Sequence, residues 1–328
     1  KNTRSKWQGC GKCVISANQG RYRMSNTDDK QSGCEKSNSK NGRNTSLNVS
    51  VTITKKQTEK TNIEKLKNGA INATESNAYF QTRLINDKLF GTCRISVNGN
   101  GINAIYSVDC KTLLKARNTS TIFNILDSVE RVEGEAFSYC SYLKNVNIPD
   151  SVKSIGDGAF SDCWSLKNVI IPDSVKSIGV GAFSGCSSLE SAVIGNSVEK
   201  IGNYAFYRCS SLINTDLPNS LKNIGERAFK GCRSLESAVI GNSVEIIKGE
   251  AFQGCFKLNS IVIPDSVKHI EDGAFSGCTH LKNVTIGDSV ETIGGSAFSG
   301  CSSLVEVTIP DSVKHIEDGA FSGCTHLK

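Results

Sequence analysis

A unit of 23 residues recurs along the chain from about residue 125 onward, and this repeat limits what the chain can fold into. Ala-Phe followed three residues later by Cys marks each of nine copies. The marker phenylalanines are Phe137, Phe160, Phe183, Phe206, Phe229, Phe252, Phe275, Phe298 and Phe321. The cysteines in the same phase are Cys140, Cys163, Cys186, Cys209, Cys232, Cys255, Cys278, Cys301 and Cys324. One unit has too little apolar surface to fold alone, so the copies are expected to stack into a solenoid that buries their shared side chains as ladders.

The copy from Leu166 to Cys186 shows the expected structure of one coil. Val169 and Ile171 are two residues apart, so both face the same side of a short strand. Phe183 and Cys186 are three residues apart and fit one short helical or 3₁₀ turn. The sequence therefore predicts about nine coils, each made of a short strand and a short helical or 3₁₀ turn.

This motif, L-x-x-V-x-I-P-x-S-V-x-x-I-G-x-x-A-F-x-x-C from Leu166 to Cys186, resembles the BspA-like, treponemal-type leucine-rich repeats of bacterial and protist surfaces. The resemblance covers roughly residues 125–328. It implies a leucine-rich-repeat solenoid that displays its coils to many kinds of partner and has no shared catalytic motif.

Some coils are copies of one another. Residues 188–199 are identical to 234–245, and residues 264–282 are identical to 310–328. Both pairs are 46 residues apart, so the duplicated block is predicted to contain two coils.

The part of the chain before the repeats is rich in Asn, Ser, Thr, Lys and Gly. Residues 1–46 have almost no periodic apolar pattern, which predicts a basic, irregular N-terminal arm. In residues 47–120, apolar residues alternate from Leu47 to Ile53, and Asn98-Gly99-Asn100-Gly101 is a strong hairpin signal. We therefore expect a small β-rich domain at 47–120, followed by the solenoid at 121–328.

Charge is divided unevenly between these parts. Residues 1–120 hold 21 Lys/Arg and 8 Asp/Glu, whereas residues 121–328 hold 17 and 24, so a head of +13 and a repeat body of −7 give the net charge of +6. The uneven charge has two explanations of equal weight. The two parts can simply differ in composition, or the basic head of one molecule can attract the acidic repeat body of another. The sequence ends at Lys328 in mid-repeat, without a polar cap. We therefore expect either that the protein continues or that another chain covers this last coil.

Nine of the fourteen cysteines belong to the repeat. Their spacing does not suit a compact metal site, which favours buried small side chains. Five lie earlier, and all are disulfide candidates: Cys10, Cys13, Cys34, Cys93 and Cys110. Cys93 and Cys110 flank the predicted hairpin and are the best pair. The other three lack a fourth ligand and a nearby His, so no zinc site is expected, and structural disulfides in an oxidising compartment fit better.

Other polar motifs give weaker signals. N-glycosylation sequons occur at Asn44, Asn48, Asn72, Asn118 and Asn283, and they would matter only in a eukaryotic secreted protein. All four histidines lie in duplicated coils and are predicted to be surface residues: His269, His280, His315 and His326.

The outward strand positions are the candidate binding surface. The candidate residues are Asn168, Ile170, Val193, Asp216, Val239, Val262, Thr285 and Thr308. Exposed aliphatic side chains on a repeat face indicate a binding site for a partner. The alternative is that these β-branched residues are present only because they favour strand formation.

The sequence holds no G-x-S-x-G, P-loop or H-E-x-x-H motif, so we expect neither an enzyme nor a cofactor. Scattered Lys and Arg without a recognised motif argue against nucleic-acid binding, and no apolar run approaches the length of a membrane span. The prediction is an adhesin-like extracellular or cell-surface protein that binds a protein or glycan. The alternative is a structural subunit of a filament or surface layer, in which the basic head covers the open coil of the next chain.

Overall fold

A computed structural model describes the strands before residue 108, residues 109–116 and residues 121–328, with side chains from Ala104 onward. The chain divides into two compact units, Lys1–Asp109 and Cys110–Lys328. The described strands of the first unit are antiparallel. They are β1 (Cys13–Asn18) paired with β2 (Arg21–Asn26), and the sheet of β3 (Leu47–Val51), β4 (Cys93–Asn98) and β5 (Gly101–Ser107).

The predicted segment boundaries at residues 46 and 120 stay predictions. β4 and β5 pair from Asn98 and Gly101, where the sequence predicted a hairpin. β1 and β2 fall inside the segment that the sequence predicted to be an irregular arm.

The second unit is the predicted solenoid. Its short strands form two rows, and within each row a strand pairs in parallel with the strand of the neighbouring coil. In the described part of this unit one row contains β6 (Thr112–Ala116), β8 (Arg131–Val132), β10 (Ser154–Ile155), β12 (Ser177–Ile178), β14 (Lys200–Ile201), β16 (Asn223–Ile224), β18 (Ile246–Ile247), β20 (His269–Ile270), β22 (Thr292–Ile293) and β24 (His315–Ile316). The other row contains β7 (Ile122–Asn124), β9 (Asn145–Asn147), β11 (Asn168–Ile171), β13 (Ser191–Ile194), β15 (Asn214–Asp216), β17 (Ser237–Val239), β19 (Ser260–Ile263), β21 (Asn283–Ile286) and β23 (Glu306–Val307).

Each Ala-Phe-x-x-Cys segment forms a run of turns. The backbone N–H of Cys163 donates to the carbonyl of Phe160 (3.3 Å), and Ser161 donates to Gly158 (3.0 Å), which is the bonding pattern of a 3₁₀ turn. Two residues per coil with positive φ interrupt this pattern, so none of the described segments continues into a helix.

These left-handed positions form two rows, with φ between 54° and 77°. The first row is Glu135, Gly158, Gly181, Tyr204, Arg227, Glu250, Gly273, Ser296 and Gly319. The second row is Tyr139, Asp162, Gly185, Arg208, Gly231, Gly254, Gly277, Gly300 and Gly323. Glycine suits both rows because it has no Cβ to clash in this conformation.

Stacked phenylalanines form the centre of the core. The rings of Phe160 and Phe183 are parallel within 1°, with centroids 5.0 Å apart, and the stacking continues from Phe137 to Phe321. The ladder cysteines lie beside this stack. From Cys163 to Cys324 each thiol donates to a backbone carbonyl in the preceding coil, as Cys232 Sγ does to the Phe206 oxygen at 3.2 Å.

Proline and glycine alternate at the end of the longer strands, at Pro172, Gly195, Pro218, Gly241, Pro264, Gly287 and Pro310. A Cβ added at Gly241 would lie 2.2 Å from the Pro218 carbonyl oxygen and 2.5 Å from its carbon. These are backbone atoms of the neighbouring coil, so the coils must move apart to admit a methyl group.

We therefore expect Gly241→Ala to lower the free energy of unfolding by about 2 kcal/mol, as overpacking does in other cores. The matched control is Gly249→Ala, because the nearest atom to a Cβ there, the Asp272 oxygen, is 3.5 Å away. Chemical denaturation measures both variants, and an equal loss in the two would show that close approach is not the cause.

Candidate functional site

The exposed face of the longer strands carries the predicted aliphatic row. In β11 the side chains alternate, so Val169 and Ile171 are buried while Asn168 and Ile170 face outward. Ile170 is 65% exposed, and it lies opposite Val193 of β13, which is 54% exposed. The outward face of these strands thus presents aliphatic side chains to solvent.

The other predicted face residues are also exposed. Val239 is 58% exposed and Val262 is 61% exposed. Asp216 lies opposite Val239, and it separates this second apolar pair from the first. Thr285 of β21 and Thr308, just after β23, extend the row with polar side chains. Together these positions form the strand face, a name used below for the outward row from Ile170 to Thr308.

A second group of side chains, half-buried or exposed, lies on the turns, and the sequence reasoning missed it. Among the described residues, all Arg–aromatic stacking pairs occur in three successive coils. Arg208 lies over Tyr207 (5.0 Å to the ring centroid), Arg227 over Tyr204 (5.4 Å), and Arg233 over Phe256 (5.7 Å). We call these six residues the Arg–aromatic patch.

Ion pairs hold the middle of this patch in place. Arg227 Nη2 donates to Glu250 Oε1 at 2.7 Å and Nη1 lies 3.0 Å from Glu226 Oε1, while Arg227 also donates to the Tyr204 hydroxyl. Lys230 pairs with the other oxygen of Glu250. The hydrogen bond from Arg227, aided by Lys230, lowers the pKa of Glu250 to about 2, so the carboxylate stays charged at neutral pH.

Two of the three stacked pairs, Arg227 with Tyr204 and Arg233 with Phe256, join residues that are 23 apart in sequence, so a local motif does not reveal them. Tyr204 and Arg227 occupy the same left-handed position in adjacent coils. Aligning the coils would have revealed them, because most other coils have glycine at that position.

Eight of the nine ladder cysteines are buried, as the repeat predicted, and Cys324 is half-buried. Each of the nine carries a free thiol. Burial raises the pKa of Cys140 and of Cys301 to about 12, and it is the main cause of the raised pKa values of the thiols from Cys186 to Cys278. A thiol that stays protonated is a poor nucleophile and a poor metal ligand. In the described part of the chain no group of three His, Cys, Asp or Glu is placed to hold a metal ion.

Several predicted sites are only partly described. Cys110 is buried, but Cys10 and Cys34 lie outside the described residues, as do the side chains of Cys13 and Cys93, so the Cys93–Cys110 disulfide stays a prediction. Among the sequons, Asn283 is exposed in β21 and Asn48 lies in β3. The remaining sequons lie outside the described residues, at Asn44, Asn72 and Asn118.

The histidines are described in full. His269 is half-buried, while His280, His315 and His326 are exposed. The described residues also contain no helix with the length and apolar character needed to cross a membrane.

A parallel solenoid with one exposed strand face defines a repeat protein of the leucine-rich class. Residues 114–215 and 199–328 match the family model of the BspA type leucine rich repeat region, in six copies, and the chain belongs to this family.

Similar solved structures come from bacteria. The T. pallidum leucine rich repeat protein TpLRR is 30% identical, with a TM-score of 0.48, and the match covers 62% of this chain and 84% of that one. A leucine rich cell surface protein from Faecalibacterium prausnitzii is 24% identical, with a TM-score of 0.44 and coverage of 72% and 86%. A leucine-rich repeat protein from Bacteroides ovatus is 26% identical, with a TM-score of 0.35 and coverage of 68% and 82%. No curated protein matches the chain.

Proposed function

We propose that this chain is a non-enzymatic, extracellular or cell-surface protein that binds another protein through its strand face. The observation that carries the proposal is two pairs of aliphatic side chains that are more than half exposed, Ile170 with Val193 and Val239 with Val262, on the two sides of Asp216. Contiguous exposed apolar side chains are typical of interaction sites, because their burial against a partner is favourable.

The size of this row suits a protein partner. Ile170 and Val262 are four coils apart, so at a strand spacing of about 4.8 Å the row extends about 19 Å. Its side chains are aliphatic and β-branched, and they offer flat apolar contact rather than the ring platforms and polar groups that orient a sugar. We therefore place a protein ligand ahead of a glycan.

Two findings support the setting and the role. The chain belongs to a leucine-rich-repeat family, and stacked repeats commonly form extended binding surfaces. One similar structure is described as a cell surface protein. Surface location and adhesion are therefore part of the proposal.

The strand face can be tested without knowing the natural ligand. A displayed library of 12-residue peptides is selected on the full chain, and the affinity of each recovered peptide is measured by biolayer interferometry. The variant Ile170→Lys with Val239→Lys keeps the fold, because Asp216 shows that the same row accepts a charge. We expect it to weaken binding at least about tenfold, as the loss of a central apolar contact does elsewhere.

The matched control adds the same two charges to the other row of strands, as Ser177→Lys with Asn223→Lys. Lys200 lies between these two positions in that row, so lysine is accommodated there. The control should bind within about twofold of the wild-type chain. A set of peptides that binds the strand-face variant as tightly as the wild-type chain would contradict the proposal.

The filament or surface layer remains the alternative function. It is supported by the charge division of the sequence, since a basic head and an acidic repeat body attract each other between molecules. Light scattering on the same purified protein distinguishes the two, because a head-to-tail polymer held by charge shortens as salt is raised.

A further inference from the structure

We propose that the Arg–aromatic patch is a second binding surface, which takes an acidic segment of a protein partner. The proposal goes beyond the strand face and does not depend on it. It rests on where the coils depart from their own repeat, on the contacts of the patch, and on the chemistry of its unpaired arginines.

The patch lies where three successive coils replace the glycine that the two flanking coils have at one turn position. At the first left-handed position, Tyr204, Arg227 and Glu250 have φ of 58°, 54° and 55°, whereas Gly181 and Gly273 occupy it in the flanking coils. Non-glycine residues are strained in this conformation, and such strain concentrates at functional sites. The structure thus keeps large side chains on these turns where glycine would fit more easily.

The turns vary where the preceding strands have been copied unchanged. The segments 188–199 and 234–245 are identical, including strands β13 and β17, yet the turns that follow them differ. The first turn reads Tyr204-Ala-Phe-Tyr207-Arg208, and the second reads Glu250-Ala-Phe-Gln253-Gly254. The strand segments are therefore identical while the turns have diverged. In repeat proteins, the variable segments often lie on the face that binds a partner.

The patch has a fixed middle and two open flanks. Arg227 is anchored by Glu226, Glu250 and Tyr204. Arg208 and Arg233 are exposed, and neither forms an ion pair with any described residue. The stem of Arg208 passes over Gly231 in the next coil, where an added Cβ would lie 3.5 Å from Arg208 Cγ. The guanidinium groups of Arg208 and Arg233 are therefore held on ring faces, and their N–H groups are available to hydrogen-bond a ligand.

This arrangement suits carboxylates beside apolar side chains. A guanidinium group held flat on a ring can still donate two parallel hydrogen bonds to one carboxylate. Tyr, Phe and Arg are also the residues that dominate the energy of protein interfaces. A dense polyanion such as a sulfated glycan fits less well, because the carboxylates of Glu226 and Glu250 lie within the patch. The occupant is accordingly an Asp- or Glu-containing segment with neighbouring aromatic or aliphatic residues.

The test uses the full chain and three fluorescent probes of equal length. The first is the peptide (Glu-Glu-Tyr)₄, the second is (Gln-Gln-Tyr)₄, and the third is a heparin dodecasaccharide. Fluorescence anisotropy should show binding of the first peptide and at least about tenfold weaker binding of the second, which has lost its carboxylates.

The variant Arg208→Gly with Arg233→Ser installs the residues that other coils already have, such as Gly185 and Ser210. We expect it to bind (Glu-Glu-Tyr)₄ at least about tenfold more weakly, while its midpoint of thermal unfolding stays the same or rises, because Arg208 leaves a left-handed position. The control Lys176→Gln with Lys268→Gln removes two exposed cations elsewhere and should bind as the wild-type chain does. The strand-face variant Ile170→Lys with Val239→Lys should also keep peptide binding.

Four results would overturn the proposal. Three of them are no binding of (Glu-Glu-Tyr)₄ to the wild-type chain at millimolar concentration, unchanged binding to the arginine variant, and tighter binding of heparin than of the peptide. Loss of binding in the strand-face variant would assign the peptide to that face and would leave the patch without a ligand.

Discussion

Raising the pH from 9 to 10 is expected to lower the free energy of unfolding of the solenoid by about 8 kcal/mol. The cause is the ladder of eight buried thiols from Cys140 to Cys301. The ordinary pKa of a thiol is 9.0, and burial raises the pKa of Cys140 to about 12 in the folded chain. Between these values the unfolded chain loses its thiol protons and the folded chain keeps them.

The direction follows from proton binding. A group whose pKa is raised by folding stabilises the folded state fully below its unfolded pKa, and this contribution is lost as the pH rises above that value. Each buried thiol therefore lowers the free energy of unfolding by about 1 kcal/mol between pH 9 and 10. Above pH 10 the loss approaches about 1.36 kcal/mol per pH unit for each thiol. Eight thiols in one cooperative unit give the steep loss.

Denaturant titrations followed by circular dichroism at several pH values measure this slope. Cys209→Ala with Cys232→Ala removes two of the thiols and should reduce the loss between pH 9 and 10 by about 2 kcal/mol, whatever the variant loses in stability at pH 7. Alkylation by iodoacetamide at pH 8 gives a second readout, in which the half-buried Cys324 reacts before the buried ladder thiols. A slope that is unchanged in the double variant would exclude the thiols as the cause.

Phe229→Ala is expected to lower the free energy of unfolding by about 4 kcal/mol. Phe229 is fully buried, and its ring is stacked 5.2 Å from Phe206 on one side and 5.2 Å from Phe252 on the other. Alanine leaves a cavity in the middle of the stack and removes both ring contacts, and the rigid register of the strands keeps the neighbouring coils from closing it.

The control is Phe256→Ala, which removes the same side chain from the surface, where Phe256 is 41% exposed. We expect a loss of about 1 kcal/mol or less there. Guanidinium denaturation compares the two, and it should also show whether Phe229→Ala splits the transition, since a repeat array divides at its weakest interface. Equal losses in both variants would mean that the ring stack does not hold the solenoid together.

The sequence predicted the solenoid because its signal is periodic. Phe183 and Cys186 recur every 23 residues, so their burial follows from stacking alone, and the alternation around Ile170 assigns the outward face. The second row of strands was not predicted. Strands such as Ser177–Ile178 have two residues, which is too short for any alternation to appear.

Two further features depend on contacts between coils. A left-handed backbone at Tyr204 and Arg227 is visible in the sequence only when the coils are aligned, because other coils have glycine at that position. The stacking of Arg227 on Tyr204 joins residues that are a whole coil apart, so a local motif could not reveal it. The fold was therefore predictable from the repeat, whereas the Arg–aromatic patch required the register between coils.

The nearest-neighbour stacking of the coils also determines how the protein responds to force. Each coil bonds only to the coil before it and the coil after it, so tension along the backbone would peel off an end coil while the rest stayed folded. One released coil frees 23 residues, or about 80 Å of extended chain. A repeat protein held between a surface and a bound partner would thus lengthen in steps and dissipate the load before the contact itself broke.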